Sequence, residues 1–222
     1  DFTLISSRNL QYKNELEIKN LSFKYQINKD YTLNNINLSL SGSEKISIVG
    51  ESGTGKSTLL NLILGFLEPH EKNMIKSNNN SIYDDLSSWK KNISYVPQRV
   101  VILDQSLKNN ITLSNPDIDF DKKRYIDSIK KAGLDNLLSK LEYQDETLLG
   151  NNGDKISMGE KQRIGIARAI YRNSQIVIMD EISNFLDEKN KQEIMKNIYE
   201  HFKDKIVITV THDHNILRYS DK

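Results

Sequence analysis

Nine residues, G-E-S-G-T-G-K-S-T at positions 50–58, constrain this chain more than any other stretch. They fit the phosphate-binding loop pattern G-x-x-x-x-G-K-[ST], with Gly50, Gly55, Lys56 and Ser57 at the required spacing. A triphosphate is wrapped by backbone N–H groups, and only residues without bulky side chains let the main chain come that close. Gly50, Gly53 and Gly55 supply that access, while Ser52, Thr54 and Thr58 fill out the loop. Lys56 places a charge against the outer phosphates, and the Ser57 hydroxyl is suited to ligate their magnesium. Residues 45–49 before the loop are β-rich, and 58–67 after it are apolar apart from Thr58, Asn61 and Gly65. The expected context is strand, loop and buried helix, with the helix N-terminus and its positive dipole end at the phosphates.

At 222 residues the chain suits one large domain, or one domain with an inserted subdomain. Its 31 basic and 30 acidic residues leave a net charge of +1, so charge gives no reason to expect a nucleic-acid partner. The lack of cysteine excludes a disulfide scaffold and thiolate metal sites. No window reaches eighteen uninterrupted apolar residues, and Asp1, Arg8, Glu15 and Glu17 interrupt the first twenty positions; neither a signal peptide nor a transmembrane helix is expected within it.

Residues 1–14 are polar and unpatterned and read as a linker, taken to residue 15. Residues 16–25 and 33–40 alternate apolar and polar, as half-exposed antiparallel strands do. Residues 45–49, 92–96, 175–179 and 205–210 are instead rich in Ile and Val, the pattern of parallel strands buried on both faces. The fold class is therefore α/β. Between 98 and 154 the β signal fades, and Tyr125, Ile126, Ile129, Leu134, Leu137, Leu138 and Leu141 recur at helical spacing, which marks a helical insert. A further helix is expected over 189–201, and the polar run at 77–81 reads as a surface loop.

Three further sites narrow the chemistry. The apolar run 176–179 ends in Asp180 and Glu181, a Walker B pattern in which Asp180 would hold magnesium and Glu181 would polarise the attacking water. Ile156-Ser157-Met158-Gly159-Glu160 leads into a helix over 161–172 and is equally a capping box, Ser157 followed three positions later by Glu160. Thr209-Val210-Thr211-His212-Asp213 ends the last strand. Taken with these, 156–160 resembles the signature motif of ATP-binding cassette (ABC) proteins, usually L-S-G-G-Q, and His212 resembles the family's H-loop histidine.

Smaller matches follow in order. Tyr25 resembles the A-loop tyrosine that stacks on adenine, Gln98 the Q-loop glutamine that reaches magnesium, and Asn184-Phe185-Leu186-Asp187 the D-loop. The resemblance covers residues 16–213 and implies a P-loop NTPase with a RecA-like parallel-sheet core, an antiparallel β subdomain and an inserted helical subdomain. The implied division is a core over 16–97 and 161–222 and a helical subdomain over 98–160. It implies ATP and Mg2+ as ligands, with Lys56, Glu181 and His212 catalytic and Ser57, Gln98 and Asp180 around the metal. Two such cassettes would pair head to tail, Ser157, Gly159 and Glu160 of one facing the ATP of the other. Three departures are Met158 where glycine is usual, Glu160 where glutamine is common, and N-F-L-D where the D-loop is usually S-A-L-D. A glycine needed for positive φ or for close phosphate approach would make Met158 weaken the trans contact.

Lys56 and Ser157 lie about 100 positions apart, too few for the long coiled coil of DNA-repair relatives, and only one cassette is present. Residues 146–153 resemble the exporter X-loop, T-x-x-G-x-x-G. The expectation is an exporter cassette at the cytoplasmic face of a membrane, fused behind transmembrane domains upstream of Asp1, with a weaker likeness to bacterial lipid-linked oligosaccharide flippases. The alternatives are a regulatory cassette that clamps ATP without turnover, or a DNA-associated ATPase.

Overall fold

The computed structural model describes residues 12, 14–27, 30–113, 120–186 and 188–222. Two four-stranded sheets organise them. In the antiparallel sheet, β1 (Glu15–Phe23) pairs with β2 (Leu33–Ser41) on one side. On the other side lies the hairpin of β4 (Ile75–Ser77) and β5 (Asn80–Ser81). The second sheet is wholly parallel, β3 (Lys45–Ile48), β8 (Ile206–Val210), β7 (Ile176–Asp180) and β6 (Ile93–Val96) lying side by side in that order.

The parallel strands are buried on both faces, as their unbroken apolar runs require. Ile176, Ile178, Ile206 and Ile208 pack on one side with Leu60, Leu62 and Ile63 of α1 (Lys56–Ile63) and with the antiparallel sheet. Val177, Met179 and Val207 pack on the other with Ile164 and Ile166 of α6 (Met158–Arg172) and Met195 and Ile198 of α7 (Glu188–His201). Each such side chain contributes roughly 1.5–3 kcal/mol by burial.

Three readings need correction. The helix expected through residue 67 stops at Ile63, because Gly65 turns the chain at φ +69 and a Cβ there would lie 2.5 Å from Leu86 Cδ2. The polar run 77–81 is a β-hairpin rather than a surface loop. Asn78 and Asn79 adopt φ of 51° and 64°, the positive values a two-residue primed turn demands and asparagine tolerates. Ser77 and Ser81 are buried, and Ser81 Oγ donates to Lys72 O at 2.5 Å. Within the expected helical face, Tyr125 and Ile129 are buried but Ile126 is 54% exposed, on the outer side of α4 (Lys122–Lys131).

Between β6 and α6 the chain forms α3 (Leu107–Thr112), α4 and α5 (Asp135–Lys140) with short 3-10 turns, so the insert is helical as expected. Side-chain caps set where these helices start: Ser106 accepts from Asn109 N and Asp121 from Arg124 N. The stretch read as a linker ends in packed residues. Tyr12 meets Trp89 edge-on at 5.3 Å, and Asn14 donates to Asp204 O at 3.0 Å. Trp89, on α2 (Leu86–Asn92), is fully buried and donates through Nε1 to Ile63 O at 2.7 Å.

Candidate functional site

β3 runs into the phosphate-loop sequence and α1 begins at Lys56, giving the expected strand, loop and helix. Gly53 and Gly55 hold φ of +85° and +93°. At Gly55 glycine is doubly required, since a Cβ would also lie 2.9 Å from Thr32 O and from Leu33 Cδ2. Lys56 Nζ donates to Gly50 O and Glu51 O, both at 2.6 Å, so its charge is held over the loop by main-chain oxygens. The loop floors a cavity of about 1040 Å³ whose border includes Tyr25, Ser52, Gly53, Thr54, Ser57 and Thr58. Gln98, Glu181 and His212 border the same cavity. Tyr25 sits within 3.1 Å of Thr58 Oγ1 through its hydroxyl and meets Phe23 edge-on at 5.1 Å.

β7 ends at Asp180, and Glu181 then turns the chain at φ +49°, its N–H bonded to Val210 O at 2.9 Å. Asp180 Oδ2 accepts from the Tyr95 hydroxyl at 3.2 Å. Burial pushes the Asp180 carboxyl above its ordinary range; the Tyr95 hydrogen bond opposes this, the neighbouring Glu181 charge adds to it and Lys56 opposes it. The Tyr95 phenol is itself pushed up, first by burial and then by the Asp180 charge. Three groups meet on the Glu181 carboxylate. Gln98 Nε2 and Asn184 Nδ2 both donate to Oε2, at 2.7 and 2.8 Å, and His212 Nε2 lies 3.3 Å from Oε1.

The signature-like stretch lies elsewhere. Ser157 caps α6, accepting from Glu160 N, while Glu160 Oε2 accepts from Ser157 N and Ser157 Oγ at 2.8 Å each, a complete capping box. Met158 is the first helical residue and is absent from the positive-φ positions, so no left-handed conformation asks for glycine there. Gly159 is the constrained position, since a Cβ would lie 2.8 Å from Phe185 O. Ser157, Gly159 and Glu160 do not border the phosphate-loop cavity. Asp187 lies outside the described residues.

Sequence reading missed three neighbours of the site. Tyr95 and Tyr31, the latter at the cavity border, stand in no motif of the sequence, and Asn184 enters only as a departure from the D-loop pattern. Asn184 carried the usable signal, since an amide replaces the usual serine three positions after the Glu181 carboxylate.

The family model described as ABC transporter matches residues 33–184, more than half of the chain. The chain belongs to the ABC transporter family. Among ABC relatives, it is 33% identical over 210 residues to the ATP-dependent lipid A-core flippase of Haemophilus influenzae, covering 95% of this chain and 36% of that protein. It is 34% identical over 208 residues to the alpha-hemolysin translocation ATP-binding protein HlyB of Escherichia coli, covering 94% of this chain and 29% of that one. The chain thus spans about a third of the length of these relatives. A solved bacterial Atm1-family ABC exporter with ATP bound shares the fold, with a TM-score of 0.89 at 24% identity over 98% of this chain and 38% of that one.

Proposed function

We propose that the chain is the ATP-binding and ATP-hydrolysing domain of an ABC exporter, working beside transmembrane domains at the cytoplasmic face of a membrane. One observation carries the reading. A carboxylate at the end of a parallel strand, Glu181, meets Gln98 and His212 at the border of a cavity floored by a phosphate loop. The cavity suits a nucleoside triphosphate in size and in its glycine-lined floor. Lys56 receives the outer phosphates in exchange for its loop carbonyls, and Tyr25 offers its ring to the base.

Ser57, Gln98 and Asp180 are the residues that would hold Mg2+, which when bound neutralises developing phosphate charge. Glu181 then orients a water and takes its proton, and His212 supports that water and the terminal phosphate. Ser157 and Gly159 stand apart from the cavity in their own chain, which favours their use on the ATP of a second cassette in a head-to-tail pair. ATP would close that pair, and phosphate release would reopen it and drive the membrane domains. Names of relatives that include a flippase and a translocation protein support the exporter assignment. A regulatory, non-hydrolysing cassette is favoured only by the engagement of the Ser157 hydroxyl with Glu160.

Turnover decides between them. In the full-length protein, Glu181→Gln is expected to lower the ATPase rate by about 10²–10³-fold while ATP still binds. Wild-type turnover no faster than that variant overturns the hydrolytic reading.

A further inference from the structure

The Glu181 carboxylate is held by two amides, and only one of them, Gln98, borders the cavity. The other belongs to Asn184, whose Nδ2 donates to the same oxygen, Oε2, at 2.8 Å. Asn184 N also reaches back to Glu181 O at 3.3 Å, so residues 181–184 form a tight turn with the side-chain contact laid across it. Two donors on one carboxylate oxygen fix the plane of the group and leave Oε1, 3.3 Å from His212 Nε2, as the oxygen facing the histidine. A carboxylate free to rotate would present either oxygen, and a proton acceptor works only in a narrow range of positions.

Asn184 is also tied to the signature segment of its own chain. The next residue, Phe185, brings its carbonyl so close to the start of α6 that a Cβ on Gly159 would lie 2.8 Å from it. A shift of the α6 N-terminus therefore presses on the backbone that carries Asn184. We propose that Asn184 is a positioning residue for Glu181, an amide strut that orients the base and links it to the start of α6. This rests on the proposed ATPase function.

The test is steady-state ATPase kinetics of the full-length protein with Asn184→Ala, Asn184→Asp and Asn184→Ser, beside wild type and Glu181→Gln. Loss of a hydrogen bond to a charged group at a half-open site corresponds to about a tenfold loss in kcat for Asn184→Ala. The Km for MgATP should stay within about twofold, because Asn184 does not border the cavity. Asn184→Asp keeps the shape but loses the donor and sets a second negative charge beside Glu181, so it should fall at least as far as Asn184→Ala. Asn184→Ser retains a donor and should recover part of the rate. A packing role would leave the isosteric aspartate near wild type. Asn184→Asp or Asn184→Ala at wild-type kcat, with wild type well above Glu181→Gln, overturns this inference alone. Wild type equal to Glu181→Gln overturns the ATPase reading and this inference with it.

Discussion

At residue scale, the loop glycines show how a motif written for a ligand is also written for the protein. Gly55 combines φ +93° with the Thr32 carbonyl and the Leu33 side chain 2.9 Å from where a Cβ would stand. Gly55→Ala therefore strains the backbone and pushes on β2 at the same point. It is expected to weaken ATP binding at least about tenfold, from the cost of roughly 1–2 kcal/mol for a left-handed non-glycine residue plus the clash, read by nucleotide titration. The reverse holds at Met158, where the family pattern suggested a missing glycine. Its helical φ asks for no glycine, and the glycine the backbone crowds is Gly159, against Phe185 O. The pattern was legible, but which glycine the backbone depends on was not, because that follows from a contact 26 positions away.

At element scale, α6 is the member that joins the insert to the core. Arg168, near its middle, donates to Asn110 O at 2.6 Å, Val101 O at 2.7 Å and Asn110 Oδ1 at 2.9 Å, and burial pushes its guanidinium down to about 10. Gln162 on the same helix donates to Pro97 O at 3.2 Å, beside Gln98. The start of that helix is set by Ser157 and Glu160, and Ser157→Ala removes the cap on a long, well-packed helix. It is expected to lower unfolding stability by about 1 kcal/mol, measured by denaturant titration. The capping box was readable because it needs only residue types three positions apart. The 77–81 hairpin was not, because its serines are buried by neighbours, Lys72 among them, that composition does not reveal.

At the scale of the whole molecule, the parallel sheet separates two cores, and the helical insert is fastened to the second of them through α6, with α4 also meeting α7. His201 at the end of α7 accepts through Nδ1 from Lys131 Nζ at 2.9 Å, with Asp127 Oδ2 3.8 Å away and paired to Lys131 at 2.7 Å. Burial holds the His201 imidazole below its ordinary range; Lys131 lowers it further, Asp127 and the Ile170 backbone oppose this, and Lys205 adds a smaller lowering. The unfolded chain then binds the proton more readily than the folded one. Stability is fully present above the unfolded value of about 6.5 and declines as pH falls below it toward the lower folded value. His201→Asn, which has no ring to titrate, should flatten the decline below about pH 6.5, measured as midpoint temperature against pH beside wild type.

The α/β class, the phosphate-loop pattern, the acidic end of β7 and the histidine after β8 are legible along the chain, because each is a local demand. Phosphate binding requires small residues, a lysine and a hydroxyl at fixed spacing along one turn of chain, and a strand buried on both faces must be apolar throughout. Tertiary structure alone decided which of these meet. Gln98 reaches Glu181 across 83 positions, and Gly159 finds Phe185 only when α6 has docked. Such contacts are set by how helices and strands pack into a common core, where a displacement of one ångström makes or breaks a hydrogen bond, and no periodicity along the chain encodes that distance.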